Sequence, residues 1–337
     1  MTAGADVVWQ PGHVRRWLSL LLLLVACTTQ VGPNVPAGSD EQTSAVPPVR
    51  IAGGPEIETQ ILAHTMVSLL ERSGQPAEIV AFTDAGDARQ ALELGDVDVQ
   101  AAYTGEAWLE VLGRADPPGD PRASFVAVRD HDEPEDLIWL RPRFGDGSLE
   151  QPPANATFAF VVQGPPAAGA DLRTLSDLAR RLSEQPDARV CVDREFGSRS
   201  DGLRAVLEAY SVRSDREFLA ADPEEAVRGV VAGDCLAGLT TATDGNAWQA
   251  GLRPLVDDLR VFPAFVPLPQ IRAGLLGEQP SVRVALGPMA AQLTTALLGS
   301  WNARVVAGEP VEQVADDAAR ELLLRAGRTL PEDAPEG

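Results

Sequence analysis

The stretch ALELGDVDVQAAYTG, residues 91–105, decides the fold. Its first four residues end a helical pattern over residues 85–94, and a β-rich run over residues 97–103 follows the dipeptide Gly95-Asp96. Thr104-Gly105 then opens another helical pattern that carries Trp108. This order is typical of an α/β unit with parallel strands: a helix, a tight connection, a strand and a new helix.

The same order occurs twice in the chain. Gly233-Asp234 stands before a second β-rich run as Gly95-Asp96 does before the first, and counting eight residues on from each glycine reaches Tyr103 and Thr241. The pattern predicts strands at 49–53, 77–82 and 97–103 with helices at 58–72 and 85–94, and again strands at 189–193, 217–220 and 235–241 with helices at 202–210 and 223–232. Two βαβαβ units therefore predict two lobes, each a mainly parallel sheet flanked by helices.

Two further β-rich runs connect the units. Residues 157–162 are expected to cross into the second lobe and residues 261–268 to cross back, after which helical patterns at 282–298 and 311–325 cover the first lobe. The predicted domains are lobe 1 at 49–156 plus 266–333 and lobe 2 at 157–265. Two crossover strands would then act as a hinge.

The first 48 residues resemble an export and anchoring segment. Arg15 and Arg16 precede the apolar run 17–26, which is shorter than the roughly 20 residues of a membrane span and suits a signal peptide, here 1–26. The run ends in LVAC, residues 24–27, which resembles the lipobox of bacterial lipoproteins and implies that Cys27 is acylated. The alternative is an ordinary signal peptide with an incidental cysteine. Residues 27–48 are expected to form a flexible tether, with the body exported and anchored to the outer face of the cell membrane.

Composition narrows the function. The 337 residues are 45% hydrophobic and 23% charged, which is typical of a globular protein, and the net charge of −21 opposes nucleic-acid binding. The chain contains no lysine, so a P-loop lysine and a Schiff-base lysine are both excluded. His64 and His131 stand apart, and Gly-x-Ser-x-Gly, Cys-x-x-Cys and His-Glu-x-x-His motifs are missing. We expect no enzyme, no cofactor and no metal site; a hydrolase is the disfavoured alternative.

Several short motifs together resemble one protein family. They are residues 91–105, 174–179 (TLSDLA), 195–202 (EFGSRSDG), 243–245 (TDG) and 255–265 (LVDDLRVFPAF). In this order, behind a lipobox, the chain resembles the substrate-binding lipoproteins of ABC importers for glycine betaine, choline, carnitine and related osmoprotectants. The resemblance implies the type II periplasmic binding protein fold, an ABC permease as partner, membrane contact only through the lipid anchor, and a monomer.

The resemblance also implies a cage of aromatic rings around a quaternary ammonium, which cannot donate a hydrogen bond and is attracted to the faces of rings. The cage positions correspond here to Tyr103, Phe158, Thr241 and Phe265, with Thr104 as a neighbouring ligand-binding residue. For the two phenylalanines the alternative is ordinary packing in a lobe core. Arg199 matches the arginine that clamps a substrate carboxylate; the alternative is an ion pair with Asp193 or Asp201.

Three departures from the family pattern bear on the ligand. Pro55 stands where a lysine is common, Glu106 where a hydroxyl is common, and Thr241 where the cage has a ring. These changes favour a cation without a carboxylate, such as choline, if Glu106 points into the cleft. Otherwise Glu106 lies on the solvent side of its helix, near the positive end of the helix dipole. Trp248 or Trp108 could replace the missing ring, or both could be core residues.

Cys191 and Cys235 remain after the lipobox cysteine. The repeat places them on the first and third strands of lobe 2, which are neighbours if the strand order is flavodoxin-like. An exported chain lies in a compartment where disulfides form, so a Cys191–Cys235 disulfide is expected, with two buried thiols as the alternative. The functional alternatives are a solute-binding sensor and an importer component for an aromatic or polyamine ligand.

Overall fold

A computed structural model of the protein describes residues 46–144, 153–164, 171–198, 202–212 and 218–328. The predicted signal peptide, Cys27 and nearly all of the predicted tether lie outside the described residues. Within these ranges no helix has both the length and the apolar character needed to cross a lipid bilayer.

The described strands form two five-stranded sheets. In chain order they are β1 (Val49–Gly53), β2 (Ala77–Ala81), β3 (Val99–Tyr103), β4 (Leu137–Trp139), β5 (Phe158–Gln163), β6 (Val190–Val192), β7 (Leu219–Ala220), β8 (Ala237–Thr241), β9 (Leu252–Pro254) and β10 (Pro267–Arg272). The first sheet has the order β2-β1-β3-β10-β4 and the second the order β7-β6-β8-β5-β9. The two orders are equivalent, as the sequence repeat predicts.

Helices cover both sheets. They are α1 (Ile57–Glu71), α2 (Ala85–Leu94), α3 (Thr104–Glu110), α4 (Pro121–Asp132), α5 (Leu175–Glu184), α6 (Arg194–Ser198), α7 (Leu203–Ala209), α8 (Pro223–Ala232), α9 (Gly245–Gln249), α10 (Ala273–Glu278), α11 (Ser281–Gln292), α12 (Thr295–Val306) and α13 (Val311–Arg325), with a short 3-10 turn at Glu133–Glu135. The tail helices pack on the first sheet, where Leu286, Leu298 and Ala318 share one buried core with Ile51 and Val99.

The strand directions confirm the predicted α/β class. β1 pairs in parallel with β2 and β3, while β10 is antiparallel to β3 and to β4. The second sheet repeats this arrangement, with β5 antiparallel to β8 and β9. Four strands of each sheet therefore run in one direction, and the crossover strand alone runs in the other.

Two sequence predictions need correction. The return strand, predicted over residues 261–268, begins only at Pro267, because the N–H groups of Phe265 and Val266 donate to the side chains of Asn155 and Thr104 instead of to a neighbouring strand. The tail helix predicted over residues 282–298 is two helices. Leu293 has an extended conformation, and the Thr294 side chain caps α12 by accepting a hydrogen bond from the N–H of Leu297 at 3.3 Å.

The two Gly-Asp dipeptides end equivalent helices. Gly95 has a φ of 80° and Gly233 a φ of 82°, the left-handed conformation that favours glycine. The N–H of Asp96 donates to the carbonyl of Ala91 at 2.8 Å, and the N–H of Asp234 donates to that of Gly229 at 2.9 Å. The turn at Gly95 connects α2 to β3, which ends at Tyr103, and the turn at Gly233 connects α8 to β8, which ends at Thr241.

The second sheet also carries the predicted cysteine pair. Cys191 on β6 and Cys235 just before β8 are joined by a disulfide, with their Cα atoms 5.8 Å apart. Both cysteines are buried among residues of β5 and α8. Gly229 of α8 lies against the bond, since a Cβ atom there would be 2.9 Å from the Cys191 sulfur.

Candidate ligand-binding site

Tyr103 stands at the end of β3, where the first sheet meets helix α3. The residue is 8% exposed and belongs to the core of the first sheet. The hydroxyl donates to Oε1 of Glu58 in the first turn of α1, at 2.7 Å. The tyrosine is therefore held at both ends, by core packing along its ring and by a carboxylate at its hydroxyl.

Phe265 packs directly on the helix that follows Tyr103. A Cβ atom at Gly105 would lie 2.6 to 2.8 Å from three carbons of the Phe265 ring, so only glycine leaves room for it. The backbone of Phe265 is fixed by a donor bond to Oδ1 of Asn155 at 2.7 Å and by accepting the N–H of Ala156 at 2.9 Å. Phe265 thus lies next to the end of β3.

Thr104 binds the same segment of chain. It is fully buried, its N–H donates to the carbonyl of Val266 at 3.1 Å, and its Oγ1 accepts the N–H of Val266 at 3.1 Å and donates to the carbonyl of Ala264 at 3.4 Å. Its N–H and its hydroxyl are thereby both used within the protein. This placement favours a structural role for Thr104, positioning Phe265, over the predicted ligand contact.

Phe158 begins β5 and faces Thr241 at the end of β8. The two residues are directly paired across the sheet, the phenylalanine is 43% exposed and the threonine is exposed. The Phe158 ring contacts two buried rings, Phe196 at 5.4 Å and Phe262 at 6.2 Å between centroids. An exposed ring supported by buried rings gives the second sheet an aromatic surface at its carboxyl edge.

Phe196 and Phe262 are not among the predicted site residues. Both occur inside motifs that carry the family resemblance, EFGSRSDG and LVDDLRVFPAF, so the sequence contained a signal for them. They are 8% and 4% exposed, and their contacts with Phe158 make them supports for that ring.

The two crossover segments run side by side. The Ala156 N–H donates to the Phe265 carbonyl, and Oγ1 of Thr157 donates to the carbonyl of Pro263 at 2.5 Å. The chain then enters β5 at Phe158. Phe265, which contacts the first sheet, and Phe158, which begins the second, therefore lie on adjacent segments.

Carboxylates gather beside Tyr103. Burial, followed by the charges of Glu110 and Glu58, raises the pKa of Glu106 from 4.5 to about 7. Burial, the Glu58 charge and hydrogen bond, and Glu106 raise the pKa of Tyr103 well above its usual value. The negative charge of the carboxylates beside Tyr103 attracts a cation and repels a free carboxylate.

The tryptophans are engaged elsewhere. The Trp248 indole donates to the carbonyl of Ala242 at 2.9 Å and packs on Gly299 of α12. The Trp108 indole donates to the carbonyl of Ala115 at 3.0 Å. These contacts favour packing for both rings over the predicted replacement of the missing cage aromatic.

Arg199, the predicted carboxylate clamp, lies outside the described residues. The nearby Asp193 uses Oδ1 to accept the N–H groups of Glu195 and Phe196, at 2.9 and 3.0 Å. Across the described ranges, no group of three or more His, Cys, Asp or Glu side chains is arranged to hold a metal ion.

Known proteins share this sequence and fold. The family described as "Substrate binding domain of ABC-type glycine betaine transport system" matches residues 47–321. The chain is 29% identical over 293 residues to the glycine-betaine-binding protein of Pseudomonas aeruginosa, covering 82% of this chain and 88% of the relative. It is also 29% identical over 283 residues to the glycine betaine-binding protein YehZ of Escherichia coli, covering 81% and 90%.

The chain is also similar to a solved structure and to a more distant relative. Apo YehZ from Escherichia coli superposes with a TM-score of 0.73 at 27% identity, covering 84% of this chain and 99% of the other. The chemotactic signal transduction substrate-binding protein CosB of Halobacterium salinarum is 26% identical over 242 residues, covering 67% of this chain and 69% of CosB.

Proposed function

Because the chain belongs to the family of substrate-binding domains of ABC-type glycine betaine transport systems, we propose that it captures a small quaternary-ammonium solute outside the cytoplasm and delivers it to an ABC permease. The proposal extends to this chain what the Pseudomonas aeruginosa and Escherichia coli relatives are named for. Those relatives are binding proteins, so binding and release, without covalent chemistry, is the activity proposed.

The observation that supports the proposal is that the crossover segment carrying Phe265 lies beside the segment that leads into Phe158. Tyr103 and Phe265 belong to the end of the first sheet, and Phe158 is the exposed ring at the end of the second. A quaternary ammonium offers no N–H to a hydrogen-bond acceptor, so attraction to ring faces supplies both affinity and selectivity. Because the Tyr103 hydroxyl is already bound to Glu58 and most of the residue is packed in the core, a ligand would meet only the small exposed part of its ring.

Closure around the ligand follows from the connectivity. We place lobe 1 at 49–156 plus 266–333 and lobe 2 at 157–265, joined at the crossover segments that precede β5 and β10. A ligand that contacts rings of both lobes binds the closed arrangement more tightly than the open one and shifts the population toward it. The closed arrangement would be the form that a permease recognises.

The charges beside the rings suggest which quaternary ammonium is preferred. Glu106 and Glu58 lie near Tyr103, and lysine is absent from the chain. A ligand without a carboxylate, such as choline, avoids repulsion from these groups. A ligand with a carboxylate, such as glycine betaine or carnitine, would depend on Arg199. We therefore propose that choline binds more tightly than glycine betaine.

The proposed location follows from the first 27 residues. A signal peptide at 1–26 would export the chain, and acylation of Cys27 would hold it at the outer face of the membrane. We propose that the body acts there as a monomer. Mass spectrometry of protein extracted from membranes tests the anchor: a diacylglyceryl mass increment on a peptide that begins at Cys27 is expected, and a free thiol there would refute it.

Calorimetric titration with choline, glycine betaine and carnitine tests the binding function. We expect one-to-one binding of at least one of them, and a loss of about 0.5–2 kcal/mol in Tyr103→Ala and in Phe265→Ala. Phe144→Ala is the control, because this ring packs against Phe125 and Arg122, outside the predicted cage. Failure of all three ligands to bind, with binding of a polyamine or an aromatic compound instead, would contradict the proposal.

Sensing is a second candidate function, supported by the similarity to CosB, which is named for chemotactic signal transduction. The binding site would be the same, and the partner would be a signalling receptor in place of a permease. Deleting the gene separates the two: loss of radiolabelled choline uptake supports import, whereas normal uptake with a lost behavioural response supports sensing.

A further inference from the structure

A chain of hydrogen bonds leads from Tyr103 to the second lobe. The Tyr103 hydroxyl donates to Oε1 of Glu58 at 2.7 Å, and Nδ2 of Asn302 donates to Oε2 of the same glutamate at 2.7 Å. Nδ2 of Asn302 also donates to the carbonyl of Thr243 at 2.8 Å. Thr243 follows the end of β8 by two residues, so four residues connect the strand end of one sheet to that of the other.

Three of the four residues in this chain of contacts are buried, and Glu58 is half-buried. Tyr103 is 8% exposed, Asn302 5% and Thr243 2%. Polar contacts removed from water are costly to break, because the abandoned partner stays unsatisfied. Within the described residues, Oδ1 of Asn302 has no hydrogen-bond partner, so the asparagine contributes here through its amide donor. Its two donor bonds reach Glu58 of α1 and the backbone beside β8.

Helix α12 also touches the second lobe directly. A Cβ atom at Gly245 of α9 would lie 2.8 Å from the carbonyl oxygen of Asn302, and one at Gly299 of α12 would lie 2.6 Å from Cδ1 of Trp248. Gly245 lets α9 approach the backbone of α12 at Asn302, and Gly299 leaves room on α12 for the ring of Trp248. Asn302 therefore lies in a close contact between the tail of lobe 1 and lobe 2, separate from the two crossovers.

We infer that Glu58 and Asn302 are positioning residues that fix the ring of Tyr103 and couple its position to lobe 2 through Thr243. The inference rests on the proposed function, because it assigns to these residues a part in ligand binding without contact with the ligand. A carboxylate that accepts the tyrosine hydroxyl both fixes the ring and polarises it toward a bound cation. Asn302 holds that carboxylate and ties it to the backbone next to β8.

A double-mutant cycle on the full chain tests the ligand-binding part, with choline as the probe. Asn302→Ala is expected to weaken choline binding at least fivefold, and Tyr103→Phe to weaken it by a similar factor. Because both changes break the same chain of contacts, the double variant should bind about as well as Tyr103→Phe alone. Asn246→Ala, an exposed asparagine on α9, is the control and should leave the affinity unchanged. Independent, multiplying losses would overturn the inference, as would unchanged affinity in Asn302→Ala.

The link between the lobes is tested without ligand. Spin labels at Leu94→Cys on α2 and Val231→Cys on α8, both more than half exposed, report the distance between the lobes. Asn302→Ala should broaden the distribution of distances between the two labels. If Asn302→Ala does not fold, Glu58→Gln is measured instead, because it presents an amide to Asn302 where the wild-type protein has a carboxylate. An unchanged distribution in the folded variant would overturn the coupling. If the wild-type protein binds no quaternary ammonium, the proposed function fails, and this measurement still decides the structural coupling.

Discussion

Phe158 lies directly opposite Thr241 in the antiparallel pair of β5 and β8. Paired residues in adjacent strands point to the same face of the sheet, so the exposed phenylalanine ring has a hydroxyl beside it where the family resemblance implies another ring. The second sheet thus offers one exposed ring, supported from behind by Phe196 and Phe262. The aromatic cage proposed here is incomplete at a defined position.

Restoring a ring at that position should strengthen binding. Thr241→Tyr places an aromatic side chain next to Phe158, and a cation–π contact at a partly exposed site contributes about 0.5–1 kcal/mol, or roughly two- to fivefold in Kd. Calorimetry with choline measures the change. Thr241→Val is the control, because it keeps the size of threonine without a ring and should leave Kd within twofold. Equal or weaker binding by Thr241→Tyr would place the ligand away from Thr241.

Choline binding should strengthen as the pH rises through about 7. Glu106 has a pKa raised to about 7, so it is mainly neutral below this pH and mainly charged above it. A charged Glu106 attracts a bound cation, and binding the cation releases a proton. Kd for choline at pH 5.5, 7 and 8.5 measures the effect, and Glu106→Gln should flatten the profile. A profile in Glu106→Gln that is as steep as in the wild-type protein would contradict this role for Glu106.

The same carboxyl should lower stability at high pH. In the folded protein Glu106 keeps its proton up to about pH 7, whereas in the unfolded chain it loses the proton near 4.5. Its contribution to stability is therefore favourable at low pH and is lost as the pH rises from about 4.5 to about 7. We expect Glu106→Gln to raise the Tm at pH 8 more than at pH 4.5. An equal change in Tm at both pH values would show that ionisation of Glu106 does not affect stability.

Much of the fold could be predicted from the two Gly-Asp dipeptides. They mark turns in which glycine adopts a left-handed conformation, and α2 and α8 lie where the pattern predicts them. The return crossover is harder to predict because its N–H groups donate to the side chains of Thr104 and Asn155, which precede it by more than 100 residues. Local periodicity contains no information about such distant partners.

The candidate site, too, depends on partners that are distant along the chain and that local sequence patterns do not reveal. Tyr103 and Phe265 could be singled out from motifs, and Gly105 is the residue whose missing side chain lets Phe265 approach the end of β3. The role of Glu58 could not be predicted, because its partners Tyr103 and Asn302 lie 45 and 244 residues away along the chain. Only the folded chain shows that this carboxylate holds the tyrosine.

Gly95→Ala should destabilise the protein. With a φ of 80°, this position forces a Cβ-bearing residue into the left-handed region, which costs roughly 1–2 kcal/mol. Gly277→Ala is the matched control, because this exposed glycine of α10 lies in a helix and has open space where the Cβ would be. Chemical denaturation should show a lower free energy of unfolding for Gly95→Ala only. Equal stability of the two variants would contradict the assigned role of the turn.

The Cys191–Cys235 bond should stabilise the part of the protein built on the second sheet. A disulfide that closes a loop of 44 residues typically contributes about 2–4 kcal/mol to the stability of the folded state. The double variant Cys191→Ser, Cys235→Ser should therefore unfold at a lower denaturant concentration than the wild-type protein. Alkylation without reductant, followed by mass spectrometry, should leave both cysteines unlabelled. Labelling of both under native conditions would show two free thiols in their place.

The crystal structure of the protein with choline bound tests the central claim most directly. We expect the trimethylammonium group between the two sheets, within about 6 Å of the ring centroids of Tyr103, Phe158 and Phe265. Choline bound at any other place, with these three rings out of contact with it, would contradict the proposed aromatic cage.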